Sequence, residues 1–196
     1  MNFKLVLASS SPRRAELLAS IGLEFEIVPS GISEEGVSLT GAELVCDLAY
    51  KKALKIAGSR PDAIVIGADT VVIRDGVIFG KPPDETGAAC MLSELSGVWH
   101  EVFTGISVIG RGKQKTEAVL TRVKFRKLNN DVINAYVATG EPMDKAGAYG
   151  IQGLGSLLVE EIAGDYYNVM GLPLGRLAEV FSELYGISFI NSWKIS

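Results

Sequence analysis

Residues 144–153 combine closely spaced glycines with side chains that bind polar ligands. The segment reads Asp-Lys-Ala-Gly-Ala-Tyr-Gly-Ile-Gln-Gly, and a backbone this rich in glycine can approach a ligand closely. Asp144 and Lys145 add a charge pair, and Tyr149 adds an aromatic ring. Gln152 adds an amide that both donates and accepts hydrogen bonds, which suits a nucleobase edge or another planar polar group. The segment therefore predicts a binding loop for a small polar molecule.

A serine-rich turn near the start of the chain is suited to phosphate. Residues 9–14 read Ser-Ser-Ser-Pro-Arg-Arg after a short apolar run, so a strand would lead into a helix N-terminus that favours anions. The hydroxyls of Ser9 and Ser11 surround this point, and Arg13 and Arg14 can each bind phosphate oxygens with two N–H groups. The alternative is a helix capped by Ser11 with solvated arginines.

Asp69 is a carboxylate inside a strongly β-branched run. Residues 64–73 read Ile-Val-Ile-Gly-Ala-Asp-Thr-Val-Val-Ile. A carboxylate in such a strand costs free energy unless it is paired or bound to a metal. Asp69 is therefore a candidate metal ligand or general base, with Thr70 beside it. The alternative is an exposed edge position or a hydrogen-bonded turn.

Further charges stand where a phosphate site would need them. Lys81 lies in a Gly-Lys-Pro turn, whereas Lys52 lies on a predicted helix, where a lysine is usually a solvated charge. Glu34 and Glu35 form an acidic pair in a predicted loop. Such a pair is usually solvated, but near phosphates it suits Mg²⁺, which prefers oxygen ligands.

Composition restricts the class of protein. The chain has 196 residues, of which 47% are apolar and 21% charged, and this balance favours a globular fold over disorder. A net charge of −4 disfavours duplex nucleic acid as a partner. Cys46 and Cys90 lack zinc-like spacing, the single His100 cannot complete a Cys/His site, and we expect both thiols in the core. Without a long apolar run we expect neither a signal peptide nor a membrane span, and hence a cytoplasmic protein.

The hydrophobic pattern predicts alternating strands and helices. Predicted strands cover 3–8, 24–29, 63–73, 77–79, 98–109, 114–127, 156–162 and 187–190, and predicted helices cover 12–20, 41–58, 85–95, 130–139 and 173–185. Thr40 and Glu43 form a capping box before the second helix, and Asp75-Gly76 is a strong hairpin signal. Because two hairpins interrupt the alternation, we expect an α/β protein with a mixed sheet.

These stretches together resemble the Maf family of nucleoside triphosphate pyrophosphatases. The matching motifs follow one order along almost the whole chain. They are Ser-Ser-Pro-Arg-Arg, Leu-Ala-x-x-Lys-Ala, Gly-Ala-Asp-Thr, Gly-Lys-Pro, Leu-Ser-Gly-x-x-His, Glu-Pro-x-Asp-Lys-Ala-Gly and Gly-Asp-Tyr-Tyr-x-Val-x-Gly-Leu-Pro. The resemblance implies a single domain over residues 1–196, with an elongated mixed sheet flanked by helices as in ITP pyrophosphatases. It also implies two lobes around a nucleotide cleft and leaves a homodimer open.

The resemblance also implies a reaction, the hydrolysis of the α–β phosphoanhydride of a nucleoside triphosphate with a divalent cation, Mg²⁺, Mn²⁺ or Co²⁺. Asp69 corresponds to the family's proton acceptor, and Asp69 and Glu34 are the expected metal ligands. The acidic loop often reads Asp-Glu-Thr in the family and here reads Ser-Glu-Glu-Gly, so Glu35 stays an alternative. The expected substrate-binding residues are Ser9, Ser11, Arg13, Arg14, Lys52, Thr70, Lys81, Asp144, Lys145 and Gln152.

The residue sequence of the glycine loop is similar to that of the subgroup that acts on dTTP and UTP. In the family, the positions of Arg13, Thr70 and Gln152 are associated with substrate choice. Two other functions stay open. One is a nucleotide-sensing regulatory protein linked to cell division, which would bind dTTP and turn it over negligibly. The other is the sister subgroup, which prefers 7-methyl-GTP.

Overall fold

A computed structural model describes residues 4–32 and 39–190. The chain forms two compact units. The first contains the described parts of residues 1–69, 104–119 and 171–196, and the second contains residues 70–103 and 120–170. The assignment of residues 1–196 to a single two-lobed domain stays a prediction.

The described residues form seven strands and six α-helices. The strands are β1 (Lys4–Leu7), β2 (Glu26–Ile27), β3 (Ala63–Arg74), β4 (Val77–Phe79), β5 (Trp99–Gly110), β6 (Lys113–Phe125) and β7 (Val159–Ala163). The helices are α1 (Pro12–Ser20), α2 (Gly41–Ala57), α3 (Glu85–Leu95), α4 (Asn130–Val137), α5 (Tyr166–Met170) and α6 (Leu174–Tyr185). None of these helices has the length and apolarity needed to span a bilayer.

The strands belong to one mixed sheet. Its order is β2-β1-β3-β5-β6-β7, and β4 pairs with β3. β1 runs parallel to β2 and to β3, with Leu7 opposite Ile66, whereas the β3–β4 and β6–β7 pairs are antiparallel. A mixed sheet with interspersed helices confirms the predicted α/β class. The hairpin at Asp75 and Gly76 is also confirmed, because both residues have the positive φ, 50° and 80°, that its tight turn requires.

In the first unit, glycines let α2 lie very close to the sheet. A Cβ at Gly67 would lie 2.3 Å from the Ala49 carbonyl oxygen, and one at Gly105 would lie 2.1 Å from the Val45 carbonyl oxygen. Beside these contacts, Ala53 of α2 belongs to a small buried cluster with strand residues. The cluster comprises Val6, Ala8, Ala53, Ile56, Ala63 and Val65. This close packing fixes which α2 side chains face β3.

The second unit has its own core. Apolar side chains from α3 and α4 pack with residues of the strands and of the glycine loop. At its centre the rings of His100, Phe125 and Tyr149 meet edge to face, with centroids 4.7–5.3 Å apart. His100 Nε2 and the Tyr149 hydroxyl lie 2.8 Å apart. The glycine loop therefore contributes Tyr149 to this core.

Four local predictions are wrong. Residues 187–190 form no strand; Phe189 instead packs its ring 4.9 Å from that of Phe181 on α6. Residues 153–158 form a 3-10 helix before β7. The predicted capping box at Thr40 and Glu43 does not form, because the Thr40 hydroxyl makes no capping hydrogen bond. Gly41, which follows Thr40, has a non-helical φ of 56°. Cys90 is exposed on α3 and Cys46 is half-buried, so neither thiol is fully in the core.

Candidate active site

Asp69 and Lys52 form a buried ion pair in the first unit. Lys52 Nζ lies 2.5 Å from Asp69 Oδ1, and the two side chains are only 9% and 5% exposed. Side chains alternate along a strand, so Asp69 points to the same face as Gly67. That face is covered by α2, whose close approach at Gly67 brings Lys52 over the carboxylate.

This burial contradicts the solvated alternatives for both residues. A buried charge is costly unless it is paired and hydrogen-bonded, and here each residue supplies the other's counter-charge. The result is a buried carboxylate held beside an ammonium group. Such a group can accept a proton or ligate a cation.

The serine turn forms where β1 leads into α1. Ser11 occupies the N-cap position without a side-chain capping bond, and Pro12 begins the helix. The buried Ser9 accepts hydrogen bonds through Oγ from the Ser11 amide at 3.2 Å and from Arg14 Nη1 at 3.3 Å. Arg14 Nε also donates to the Gly171 carbonyl at 2.9 Å. Arg14 therefore braces the turn, and the neighbouring Arg13 is half-buried.

In the second unit, the Lys81 turn lies against the glycine loop. The Gly147 amide donates to the Gly80 carbonyl at 3.0 Å. Lys81 is exposed and, within residues 4–32 and 39–190, has neither an ion pair nor a hydrogen bond. Thr70, half-buried, follows Asp69 on β3 and points to the opposite face. An exposed ammonium on a fixed turn can take up an anionic ligand.

The glycine loop is conformationally constrained. Gly147 has a φ of 70° and its Cβ position lies 3.0 Å from the Val72 side chain, while Ala148 holds a φ of 57°. Lys145 Nζ donates to Asp144 Oδ1 at 2.7 Å, which confirms the expected charge pair. Gln152, which follows this pair in the sequence, is exposed.

Sequence reasoning missed two residues that hold this loop. The Glu141 carboxylate accepts hydrogen bonds from the Tyr136 hydroxyl and from the amides of Leu154 and Gly155. Burial raises the pKa of the Tyr136 phenol, so it stays a donor. In the sequence, Glu141 was marked only by the Glu-Pro pair that opens the loop motif. Two of its partners are backbone amides, which every residue type except proline has, so no residue pattern indicates the contacts.

The predicted site residues are divided between the two units. The first holds Ser9, Ser11, Arg13, Arg14, Lys52 and Asp69, and the second holds Thr70, Lys81, Asp144, Lys145 and Gln152. In the first unit the structure brings Lys52 together with Asp69, and in the second unit it brings the Lys81 turn together with the glycine loop. A nucleotide cleft shared by all of them stays a prediction. Glu34 and Glu35 lie outside the described residues.

A metal would find few protein ligands in the part of the chain that is described. No group of three or more His, Cys, Asp or Glu side chains is placed there to hold an ion. Asp69 nevertheless offers a carboxylate oxygen, the donor type that Mg²⁺ prefers, and Mg²⁺ is commonly bound by one or two carboxylates together with substrate phosphates. The donor set fits a cation that arrives with a triphosphate.

His100 has a structural environment. Burial lowers the pKa of its imidazole to about 4, so the ring is neutral at pH 7. It is enclosed by Phe125 and Tyr149 in the core of the second unit. These surroundings indicate a structural role for His100.

Solved structures with some similarity include a dITP/XTP pyrophosphatase from Mycobacterium abscessus. It is 18% identical and has a TM-score of 0.41 over 64% of this chain and 76% of that one. At this TM-score the similarity carries no argument about function.

Sequence relatives are much closer. A protein of Acetivibrio thermocellus named dTTP/UTP pyrophosphatase is 51% identical over 96% of this chain and 98% of its own. Proteins with the same name from Dictyoglomus turgidum and Moorella thermoacetica are 48% and 52% identical, over 97% and 94% of this chain and 100% and 96% of their own. The family model described as Maf-like protein matches residues 4–184. This chain therefore belongs to the Maf family.

Proposed function

We propose that this protein is a nucleoside triphosphate pyrophosphatase that hydrolyses dTTP and UTP to the monophosphate and pyrophosphate. The observation that carries the proposal is identity of about half of all positions, over nearly the full length, with relatives that bear this name. The buried pair of Lys52 and Asp69 supports it, because hydrolysis needs a fixed proton acceptor. Damaged or modified pyrimidine nucleotides fit the same chemistry.

Asp69 is the proposed proton acceptor. As the oxygen of a water molecule bonds to phosphorus, its proton passes to the Asp69 carboxylate. The phosphorus attacked is the α-phosphorus. Its bond to the oxygen that bridges the α and β positions breaks, and the electron pair of that bond leaves with pyrophosphate. Lys52 holds the carboxylate in place through the 2.5 Å contact between Nζ and Oδ1. Because the carboxylate has few other orientations, it is already placed to accept the proton.

Basic side chains of the predicted site are the proposed contacts for the triphosphate. In the first unit we assign phosphate contacts to Arg13 and to the serine turn at the start of α1, where the helix dipole favours an anion. In the second unit the exposed ammonium of Lys81 provides a further cation. Such groups stabilise charge that develops on the leaving pyrophosphate.

A divalent cation, Mg²⁺, Mn²⁺ or Co²⁺, would be held by Asp69, by Glu34 and by phosphate oxygens. When bound, it supplies polarisation of the phosphorus and neutralisation of phosphate charge. The protein's own contribution is the carboxylate, which Lys52 keeps buried and fixed.

Base selection is assigned to Gln152, with Arg13 and Thr70 as further determinants of substrate choice. An exposed amide donates and accepts at once, which matches the donor and acceptor edge of a pyrimidine. The homodimer that the family resemblance leaves open, and the cytoplasmic location expected from the apolar pattern of the sequence, stay predictions.

One assay tests this function. Purified protein is incubated with dTTP, UTP, CTP or 7-methyl-GTP, with and without Mg²⁺, and pyrophosphate and orthophosphate are measured separately. We expect metal-dependent pyrophosphate release that is fastest with dTTP and UTP. Tight dTTP binding with negligible turnover would support the nucleotide sensor instead, and preference for 7-methyl-GTP would support the sister subgroup.

A further inference from the structure

We propose that Glu141 is a positioning residue that sets pyrimidine selectivity by holding the backbone on both sides of Gln152. This inference rests on the proposed function, since it concerns how the same site distinguishes its substrates. Neither the loop motif nor the relatives' names assigns a role to this glutamate.

The carboxylate of Glu141 is an anchor for the chain that follows Gln152. Oε2 accepts a hydrogen bond from the Leu154 amide at 3.1 Å, and Oε1 accepts one from the Gly155 amide at 3.1 Å. The hydroxyl of Tyr136 donates to Oε1 at 2.9 Å. Three donors, which contact both oxygens of one carboxylate, restrict its rotation.

The chain that precedes Gln152 is held by the same pair of side chains. The Tyr136 hydroxyl accepts a hydrogen bond from the Gly150 amide at 3.2 Å while it donates to Glu141. Gly155 closes the loop, since a Cβ there would lie 2.2 Å from the Gly150 carbonyl oxygen. Residues 151–153 are therefore a short span fixed at both ends.

Glu141 also joins this span to the charged part of the loop. Its carbonyl oxygen accepts a hydrogen bond from Lys145 Nζ, which pairs in turn with Asp144. Its own amide donates to Thr139 Oγ1 at 3.1 Å, just after Gly140 turns the chain with a φ of 74°. One residue thus orders both the charge pair and the amide of the predicted binding loop.

Gln152 depends on this support because its own side chain has none. Within the described part of the chain the exposed Gln152 amide makes no hydrogen bond. Its direction is therefore set by the backbone that carries it. A displacement of that backbone by about 1 Å is enough to weaken strongly a hydrogen bond between the Gln152 side chain and the base of the substrate.

The test uses the isosteric change Glu141→Gln in the full chain. A glutamine places an N–H group against one of the donors, so at least one loop contact is lost. We expect kcat/KM for dTTP to fall about tenfold, mainly through KM, and the preference for dTTP over CTP to narrow by a similar factor. Tyr136→Phe removes the Gly150 contact and should shift the same ratio about threefold.

Glu160→Gln is the matched control, because Glu160 lies in the same unit and forms an exposed ion pair with Lys124, its one side-chain partner among the described residues. It should leave the dTTP to CTP ratio unchanged. An active protein in which both loop variants keep the wild-type ratio overturns this inference alone, and so does an equal fall in kcat for every substrate. A wild-type protein that releases no pyrophosphate overturns the proposed function and this inference together. If Glu141→Gln does not fold, the ratio in Tyr136→Phe decides.

Discussion

The Lys52–Asp69 pair makes the chemistry and the stability of the first unit depend on the same two side chains. Replacing Asp69 by Asn removes the proposed proton acceptor and also removes the charge that Asp69 places beside the buried Lys52 ammonium. We expect turnover of dTTP to fall by about 100-fold or more. The free energy of unfolding should also fall by about 3 kcal/mol, as for other broken buried pairs. Steady-state kinetics and urea unfolding measure the two effects.

A double variant separates them. Lys52→Met with Asp69→Leu replaces the pair by apolar side chains, which is often neutral or stabilising. Its stability should therefore return to near the wild-type value, whereas its turnover should not. Recovery of turnover in the double variant would contradict the role assigned to Asp69.

The sequence singled out Asp69, because a carboxylate within a β-branched run is costly unless it has a purpose. It did not single out Lys52 as its partner. That pairing depends on how closely α2 approaches β3, and this distance is set by Gly67 and by α2 backbone atoms. Glu141 was missed for a similar reason, since two of its partners are backbone amides distant in sequence.

The packing of α2 on β3 gives a prediction about the first unit. In Gly67→Ala the new methyl group would lie 2.3 Å from the Ala49 carbonyl oxygen and 2.8 Å from the Ala53 amide nitrogen. Both are backbone atoms of the helix, so the helix must move away from the strand. We expect a loss of about 3 kcal/mol or more in unfolding free energy, measured by urea titration.

Gly175→Ala is the control for this change. Gly175 lies on α6 with nothing within 4 Å of its Cβ position. Alanine favours the helix there and should stabilise the protein by about 0.5–1 kcal/mol. Equal stability of the two variants would show that the contact of α2 with β3 does not constrain Gly67.

Most elements followed from the hydrophobic pattern, and the failures have physical causes. Residues 187–190 alternate like a strand, but Phe189 uses its apolar side chain to cover α6 instead of joining the sheet. Residues 156–158 were predicted as the start of β7 but belong to a 3-10 helix, in which Gly155 packs directly against the Gly150 carbonyl. Each failure comes from a tertiary contact that a local window does not contain.

The neutral imidazole of His100 makes the stability of the protein depend on pH. Its pKa is about 4 when folded and 6.5 when exposed, so the unfolded chain binds more protons between these values. The contribution is fully present above pH 6.5 and is lost as the pH falls toward 4. We expect the unfolding free energy to decrease by about 2 kcal/mol between pH 7 and pH 5.

His100→Gln is the comparison, because glutamine does not titrate. It should lower stability at pH 7, since it disturbs the ring contacts, but should weaken the dependence on pH between 7 and 5. Carboxylates such as Glu183, whose pKa a hydrogen bond from Lys115 lowers from 4.5, lose their contribution below this range. The same pH slope in both proteins would contradict the assignment to His100.

The proposed function requires that the protein releases pyrophosphate from a pyrimidine nucleoside triphosphate. The direct measurement follows dTTP with Mg²⁺ and quantifies dTMP, pyrophosphate and orthophosphate in one time course, with Asp69→Asn measured in parallel. We predict that the wild-type protein releases one pyrophosphate for each dTMP and no orthophosphate, and that the variant is nearly inactive. Orthophosphate as the first product, or equal rates for the two proteins, would contradict it.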